Sequence, residues 1–402
     1  MTAPSDASDR PVIRLRPKMD TRRIRHGFPW AYANEVVTDR RTKAMAPGTI
    51  AVLEDSHRNP RALVAVNPNS KIIARVIDRD VGAKVDVNWF KTRLISALNL
   101  RERLFDAPFY RLIHAEADGL PGVVIDRFED VLVIQPNAAW ADARLGMLAE
   151  AAMAVTGAST VLKNAAGRAR SLEGLDDVSA VLHGTAPSEP IPVPMNGATY
   201  MADVMGGQKT GLFYDQRPNH AFAAGLARDA RVLDVFSHVG GFGLAALAGG
   251  ARSALCVDGS APALALARQG AAAMDASDRF EARQGDAFDV LTALAEAGDT
   301  FDLVICDPPA FAPAKPALDA GLRAYERVAR LSAALVARDG ILALCSCSHA
   351  ADLTAFQAAC MRGIGKAGRT PALIRTGFAG PDHPLIPQLA ESGYLKALFF
   401  RL

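Results

Sequence analysis

From about Ala230 onward the chain alternates short apolar runs with helical stretches, and this rhythm constrains the fold more than any other feature. Val232 to Phe236, Ala254 to Val257, Phe301 to Ile305 and Ile341 to Leu344 each read as a short buried strand. Alternation of this kind predicts an α/β domain, a parallel sheet with helices on both faces. In open sheets of that type ligands bind beyond the carboxyl ends of the strands. The residues that follow each strand are therefore the informative ones.

Behind the first strand comes Asp234-Val-Phe236-Ser-His-Val-Gly240-Gly241-Phe-Gly243. Glycines let the backbone turn sharply and approach a ligand closely, although an ordinary strand–helix turn would use them as well. Val257-Asp258-Gly-Ser260 ends the second strand, with its acid about twenty residues past the glycine turn, where ribose hydroxyls would need an acceptor. Gln284-Gly-Asp286-Ala287 follows a weaker third strand at Phe280 to Arg283. There a carboxylate can accept from an adenine amino group. Each acid alone would read as a surface or capping residue. Their order, each behind its own strand, favours an adenosine-bearing cofactor, and a nicotinamide dehydrogenase would share the first two features.

Two further strand ends carry chemistry. Cys306-Asp307-Pro308-Pro309-Ala310-Phe311 follows the Phe301 run, and its paired prolines stiffen the backbone behind Asp307. Cys345-Ser346-Cys347-Ser348-His349 follows the Ile341 run. By alternation Cys306 points away from the crevice, whereas Cys345 and Cys347 share a face with Cys347 nearer the exit. A thiol there suits one substrate, a pyrimidine. Its C5 is a poor nucleophile until a thiolate adds at C6. A free thiol ionises near about pH 8.5, so the site should supply positive charge or a dipole. Asp307 would sit against the base edge, protonating N3 or holding an amino group. A lone rigid loop and a packed cysteine would explain each piece separately, but not their juxtaposition.

The first part of the chain differs. At 402 residues, two or three domains are expected, and 50% hydrophobic content rules against general disorder. Short strands at Thr49 to Leu53, Ala62 to Val66 and Lys71 to Ile77 predict a small β-barrel up to about Asp80. Beyond it the pattern predicts a helix over Asn88 to Phe105, a hairpin of Val123 to Phe128 with Val131 to Gln135, and a helix from about Ala138 to Val155. A strand near Thr160 to Lys163 and a proline-rich edge or linker ending at Pro194 complete the region. Net charge is only +2, yet basic residues including Arg22, Arg23 and Arg25 crowd the start, a field that can attract a polyanion. Five cysteines in a chain of this length do not suggest a disulfide framework, and no secretory signal is recognised. A cytoplasmic protein is expected.

Together these residues resemble the bacterial large-subunit ribosomal RNA 5-methylcytosine methyltransferases, the RlmI-like group. The shared motifs are Asp234 to Gly243, Asp258, Asp286-Ala287, Asp307-Pro-Pro and Ser346-Cys347-Ser348. Gly207-Gln-Lys209-Thr-Gly211 to Arg217, Asp382-His383-Pro384, Gly393-Tyr394-Leu395-Lys396, Tyr110 to Gly122 and Gly27-Phe28-Pro29-Trp30 extend the likeness over nearly the whole chain. The resemblance implies a flexible tail over 1–11, a PUA-like RNA-binding domain over 12–80, a central α+β domain over 81–195 and a Rossmann-like methyltransferase domain over 196–402. It implies S-adenosylmethionine as cofactor, contacted by Gln216, Arg217, Asp234, Phe236, Gly240, Gly241, Asp258, Asp286, Ala287 and Asp307, with no metal. Cys347 becomes the nucleophile, with Asp307 as its catalytic partner. Arg22, Arg23, Arg25, Trp30, Lys209, Pro308 and Pro309 would meet substrate RNA, a large-subunit ribosomal RNA, and a homodimer is compatible with the pattern. Relatives of another group carry a second cysteine where this chain has Ala310, so the base that removes the C5 proton is unassigned. Methylation of an exocyclic nitrogen, a uracil target and a non-catalytic RNA-binding assembly factor stay open as alternatives.

Overall fold

The computed structural model describes residues 10–19, 21–206, 211–389 and 392–402. Residues 1–9 of the expected tail, and Lys209 with its neighbours, lie outside them. The chain divides into two units, one running to Ala186 and including Asp382–Ser392, the other spanning Pro187–Pro381 and Gly393–Leu402.

Two five-stranded sheets build the first unit. One orders its strands as Val12–Arg14, Thr49–Glu54, Pro60–Val66, Ala74–Asp78 and Trp30–Ala31. Its first pair is parallel and the rest are antiparallel, around a core that includes Ile13, Val36, Leu53, Val64 and Ile73. The other runs in chain order through Phe109–His114, Val123–Phe128, Val131–Pro136, Thr160–Lys163 and Ala180–His183. The Val87–Leu104 helix starts where the Asp86 carboxylate accepts from the Trp89 N–H, and its apolar face joins the core of that sheet.

The helix expected over Ala138 to Val155 is two helices, Ala139–Asp142 and Leu145–Thr156. Arg144 breaks it: its backbone leaves the helical region at φ −119° and ψ 18°. Its guanidinium donates to the carbonyls of Gly48 and Trp140 at 3.1 and 3.3 Å.

In the second unit the proline-rich run becomes the strand Ile191–Met195, paired with Ala198–Ala202. Pro192 and Pro194 face outward while Val193 and Met195 are buried, as the two-residue period of a strand requires. Asn196 and Gly197, at φ 57° and 76°, close the hairpin in the left-handed conformations that a tight Asn-Gly turn uses.

A seven-stranded sheet follows: β1 (Arg231–Val235), β2 (Ser253–Asp258), β3 (Phe280–Gln284), β4 (Phe301–Cys306), β5 (Val336–Ser346), β6 (Ala372–Gly377) and β7 (Lys396–Arg401). The spatial order is 3-2-1-4-5-7-6, parallel through β5, with β7 antiparallel to both β5 and β6. The order reverses between β1 and β4, which opens the crevice where ligands bind in such sheets. Apolar residues of β1, β4 and β5, among them Leu233, Val304 and Leu342, form the core with the Leu318–Ala334 and Leu353–Lys366 helices. Among the described residues no helix is long and apolar enough to cross a membrane.

Candidate active site

The glycine turn is bent by three residues with positive φ, Phe236 at 62°, His238 at 50° and Gly240 at 80°. Strain at the two non-glycine positions has to be held by other contacts. Asp234 supplies part of that hold: its Oδ2 accepts from the backbone N–H of Gly243 at 2.8 Å and of Phe242 at 3.1 Å. The Asp258 carboxylate adds the N–H of His238 on one oxygen and that of Ser260 on the other, both at 2.8 Å. The turn also tolerates no side chain at two glycines. A Cβ on Gly241 would lie 2.8 Å from His220 Nε2, and one on Gly243 would lie 2.4 Å from Cys256 Sγ.

Asp234 itself is buried. It is 0% exposed, and its Oδ2 holds the loop backbone. Burial, with Asp307 and Asp258 nearby, pushes its pKa up to about 7 despite the two backbone donors. Ala287 is likewise packed into the core, leaving only backbone to face a ligand. Asp286 is exposed at the start of the Ala287–Glu296 helix, where one oxygen accepts from Phe288 and Asp289. Phe236 is half-buried and meets Phe311 edge-on.

The second cluster lies at the ends of β4 and β5, which pair in parallel with Cys306 opposite Leu344. Gln216, buried at the start of the Arg217–Leu226 helix, donates from Nε2 to Asp307 Oδ2 at 2.9 Å and accepts from Asn219 at 2.7 Å. Arg217 lies over the Tyr214 ring. All five cysteines are free, and Cys347 alone among them is not buried. Burial pushes the Cys306 thiol up to about 12 and holds Cys345 well above its ordinary value, so both stay neutral. Cys347 Sγ lies 4.0 Å from the carbonyl oxygen of Pro308.

Buried hydroxyls fix the backbone on both sides of that thiol. Ser346 donates to the Tyr325 hydroxyl at 2.8 Å, Tyr325 and Ser348 share a bond of 2.7 Å, and Ser348 accepts from the Ala312 N–H at 2.9 Å. The end of β5 is thereby tied to the loop that carries Asp307-Pro-Pro. Pro308 is buried and Pro309 exposed.

Sequence reasoning missed Tyr325, and it quoted Lys396 only as part of a motif. Nothing near Tyr325 in the chain marks it, whereas the Lys396 ammonium donates to the carbonyls of Ser348 and Ala351 beside the thiol.

Among the residues expected to meet RNA, Arg22 and Arg25 are exposed on the Arg22–Arg25 helix. Arg23 is engaged within its own unit, paired with Glu35 at 3.0 Å and lying 4.1 Å from the centre of the Phe28 ring. Trp30 gives its indole N–H to Glu116 at 2.8 Å and packs edge-on against Phe28 and Tyr32.

A parallel sheet with this topology, a glycine turn clamped by acids and a reactive strand-end cluster define a methyltransferase of the S-adenosylmethionine-dependent class. The family model of S-adenosylmethionine-dependent methyltransferases matches residues 145–401, and that of PUA-like domains matches 13–79. The chain belongs to this methyltransferase family, in the group whose curated members are named ribosomal RNA large subunit methyltransferase I. The protein of that name from Alteromonas mediterranea is 34% identical, over 96% of this chain and 97% of its own. A ribosomal RNA large subunit methyltransferase of Deinococcus radiodurans is 35% identical over 100% of both.

The fold recurs in a candidate SAM-dependent methyltransferase of Streptococcus mutans, with a TM-score of 0.81 at 18% identity over 98% of this chain and 100% of that one. Another candidate methyltransferase, complexed with SAH, gives 0.82 at 19% over 98% and 99%. The residues present fit S-adenosylmethionine. Asp258 and Asp286 offer carboxylate acceptors at the ends of β2 and β3.

Proposed function

We propose that this chain methylates C5 of a cytosine in large-subunit ribosomal RNA, through a covalent adduct on Cys347. The substrate class follows the names of the relatives that match along nearly the whole chain. The observation that carries the chemistry is the placement of the single accessible thiol beside Asp307 at adjoining strand ends. S-adenosylmethionine supplies an electrophilic methyl group.

Cys347 as thiolate adds to C6: the S–C6 bond forms, the C5=C6 pair moves toward C5, and N3 takes up a proton. Asp307, fixed by Gln216, takes the base edge and serves N3 or the amino group. Methyl transfer to C5 would leave S-adenosylhomocysteine as the other product; N3 then gives back the proton it took up, a base removes the C5 proton, C5=C6 re-forms and the S–C6 bond breaks to return the thiolate. Phe236, Gly240, Gly241, Asp258 and Asp286 line the cofactor side, with Asp234 bracing them from behind. Residues 12–80 and 81–195 hold structured RNA through shape and backbone contacts, with Arg22 and Arg25 as exposed cations. The target base is flipped from its stack to reach the thiol. Residues 196–402 carry out the transfer.

The test uses purified protein, tritiated S-adenosylmethionine and undermodified large-subunit RNA, with the nucleosides analysed by mass spectrometry. Label in 5-methylcytidine that vanishes with Cys347→Ser is the expected result. Label on an exocyclic nitrogen or in a uridine, or transfer that survives Cys347→Ser, would overturn the reading.

A further inference from the structure

β7 begins at Lys396, directly opposite Ser346 in the antiparallel register with β5. That register puts the lysine one residue from Cys347 across the strand pair. Its side chain is buried, at 5% exposure, and Nζ donates to Ser348 O at 2.8 Å and Ala351 O at 2.7 Å. Both acceptors are neutral carbonyls. Among the described residues no carboxylate pairs with Lys396. A buried ammonium without a counter-ion is costly to keep charged, so folds usually supply one.

The groups that face it from the packed elements are few. Asp352 starts the Leu353–Lys366 helix and spends its carboxylate on the Ala355 N–H. Tyr325 comes from the Leu318–Ala334 helix, with its hydroxyl engaged by Ser346 and Ser348. Asp307 stands at the end of β4, bonded by Gln216. His349 is exposed and lies 5.6 Å, ring to ring, from Tyr394. Cys347 is the remaining ionisable neighbour; burial holds Lys396 below its ordinary value, and an ionised Cys347, then Asp352, would act against that.

We propose that Lys396 is the built-in counter-charge of Cys347, a positioning residue that keeps the nucleophile ionised near neutral pH. The inference rests on the reading of Cys347 as nucleophile. It supplies the positive charge that a thiolate needs, from a strand distant in sequence. When the sulfur bonds to C6 its negative charge moves into the base, and the ammonium is left to favour the return of the thiolate in the release step. Attraction between the two is stronger here than in water, because neither side of the strand pair is freely solvated.

The experiment reads the pH dependence of Cys347 alkylation by iodoacetamide, peptide by peptide in a mass spectrometer, on the full chain without RNA or cofactor. The four buried cysteines serve as internal controls. Wild type is expected to show a midpoint clearly below the free-thiol value of about 8.5. Lys396→Gln keeps donors for the two carbonyls and removes the charge. It is expected to raise the midpoint by a unit or more, which slows alkylation at pH 7 about tenfold, while Lys396→Arg returns part of the shift.

A midpoint unchanged in folded Lys396→Gln overturns the proposal. So does a wild-type midpoint at or above the free-thiol value, a result that needs no variant to fold. Because alkylation requires no methyl transfer, the two readings fail separately. A lowered, lysine-dependent midpoint in a protein that makes no 5-methylcytidine would keep this inference and sink the proposed reaction.

Discussion

In the unit that begins the chain, buried charges come with partners. Arg101, 0% exposed, holds Asp118 through two bonds of 2.7 Å, and Arg111 holds Asp126, also 0% exposed. Arg170 reaches Asp142 and Asp176, Arg75 reaches Glu173, Arg61 reaches Asp55, and His383 lies against Asp382. The methyltransferase unit is arranged differently. Among the described residues its ion pairs, such as Arg283–Glu281 and Arg362–Glu326, are exposed or half-exposed. Its buried charged residues, Asp234 and Lys396, have backbone groups as hydrogen-bond partners and no ion partner among the described residues. A compensated buried charge is scaffold. Lys396, left without an ion partner, is the buried charge that the proposed thiolate would balance.

The contrast can be broken at several points. The largest effect is expected from Cys347→Ser, which should lower methyl transfer at least about 10,000-fold with little change in melting temperature. Retained transfer would remove the reason for the unbalanced lysine. Next comes Arg101→Met, which strands Asp118 in a site with almost no solvent and should cost about 3–5 kcal/mol in urea unfolding. A loss below about 1 kcal/mol would mean that these pairs are not scaffold.

Acid should then separate the histidines from Asp234. Burial, the main cause, holds His114 down to about 2 and His220 down to about 3, against 6.5 when exposed. The unfolded chain therefore takes up protons that the fold refuses, and stability falls as pH drops below 6.5. Replacing His220 by Phe should recover about 2 kcal/mol of that loss between pH 6.5 and 5, read from denaturation curves at the two values. Asp234 runs the other way. Its folded pKa of about 7 lies above the ordinary 3.8, so its cost develops as pH rises between those values. Asp234→Asn should gain stability relative to wild type at pH 8 and none at pH 3. The smallest effect is assigned to Arg283→Ala, at an exposed pair, below about 0.5 kcal/mol in the same assay. A larger loss would blur the distinction between the units.

Much of the site was legible because strand ends in a parallel sheet are points where local sequence dictates position. Asp258, Asp286, Asp307 and Cys347 each stand at or just past the end of a strand, so their shared edge could be read one segment at a time. What was not legible depends on pairing between distant segments. The position of Lys396 beside Cys347 exists only through the β5–β7 register. Tyr325 lies on a helix face that looks like ordinary core, and only its hydroxyl partners give it a role. The bonds of Asp234 were not legible either: a carboxylate in such a motif can serve the loop backbone from the inside. The break at Arg144 escaped because alanine-rich composition favours one helix, while a bond to Gly48, far back in the chain, favours two. The Asn196-Gly197 turn was a local signal that the prolines before it obscured.

Asp382 has a further consequence, one that concerns synthesis. Its carbonyl accepts from Arg101 and its carboxylate from the Arg111 N–H, across 281 and 271 positions of the chain. During translation both arginines emerge long before that partner exists. The first unit therefore cannot acquire its complete set of contacts as a nascent N-terminal fragment, and truncation before residue 382 removes part of its interior along with the last strand of the sheet. Final consolidation of the beginning of this chain waits for its end to leave the ribosome.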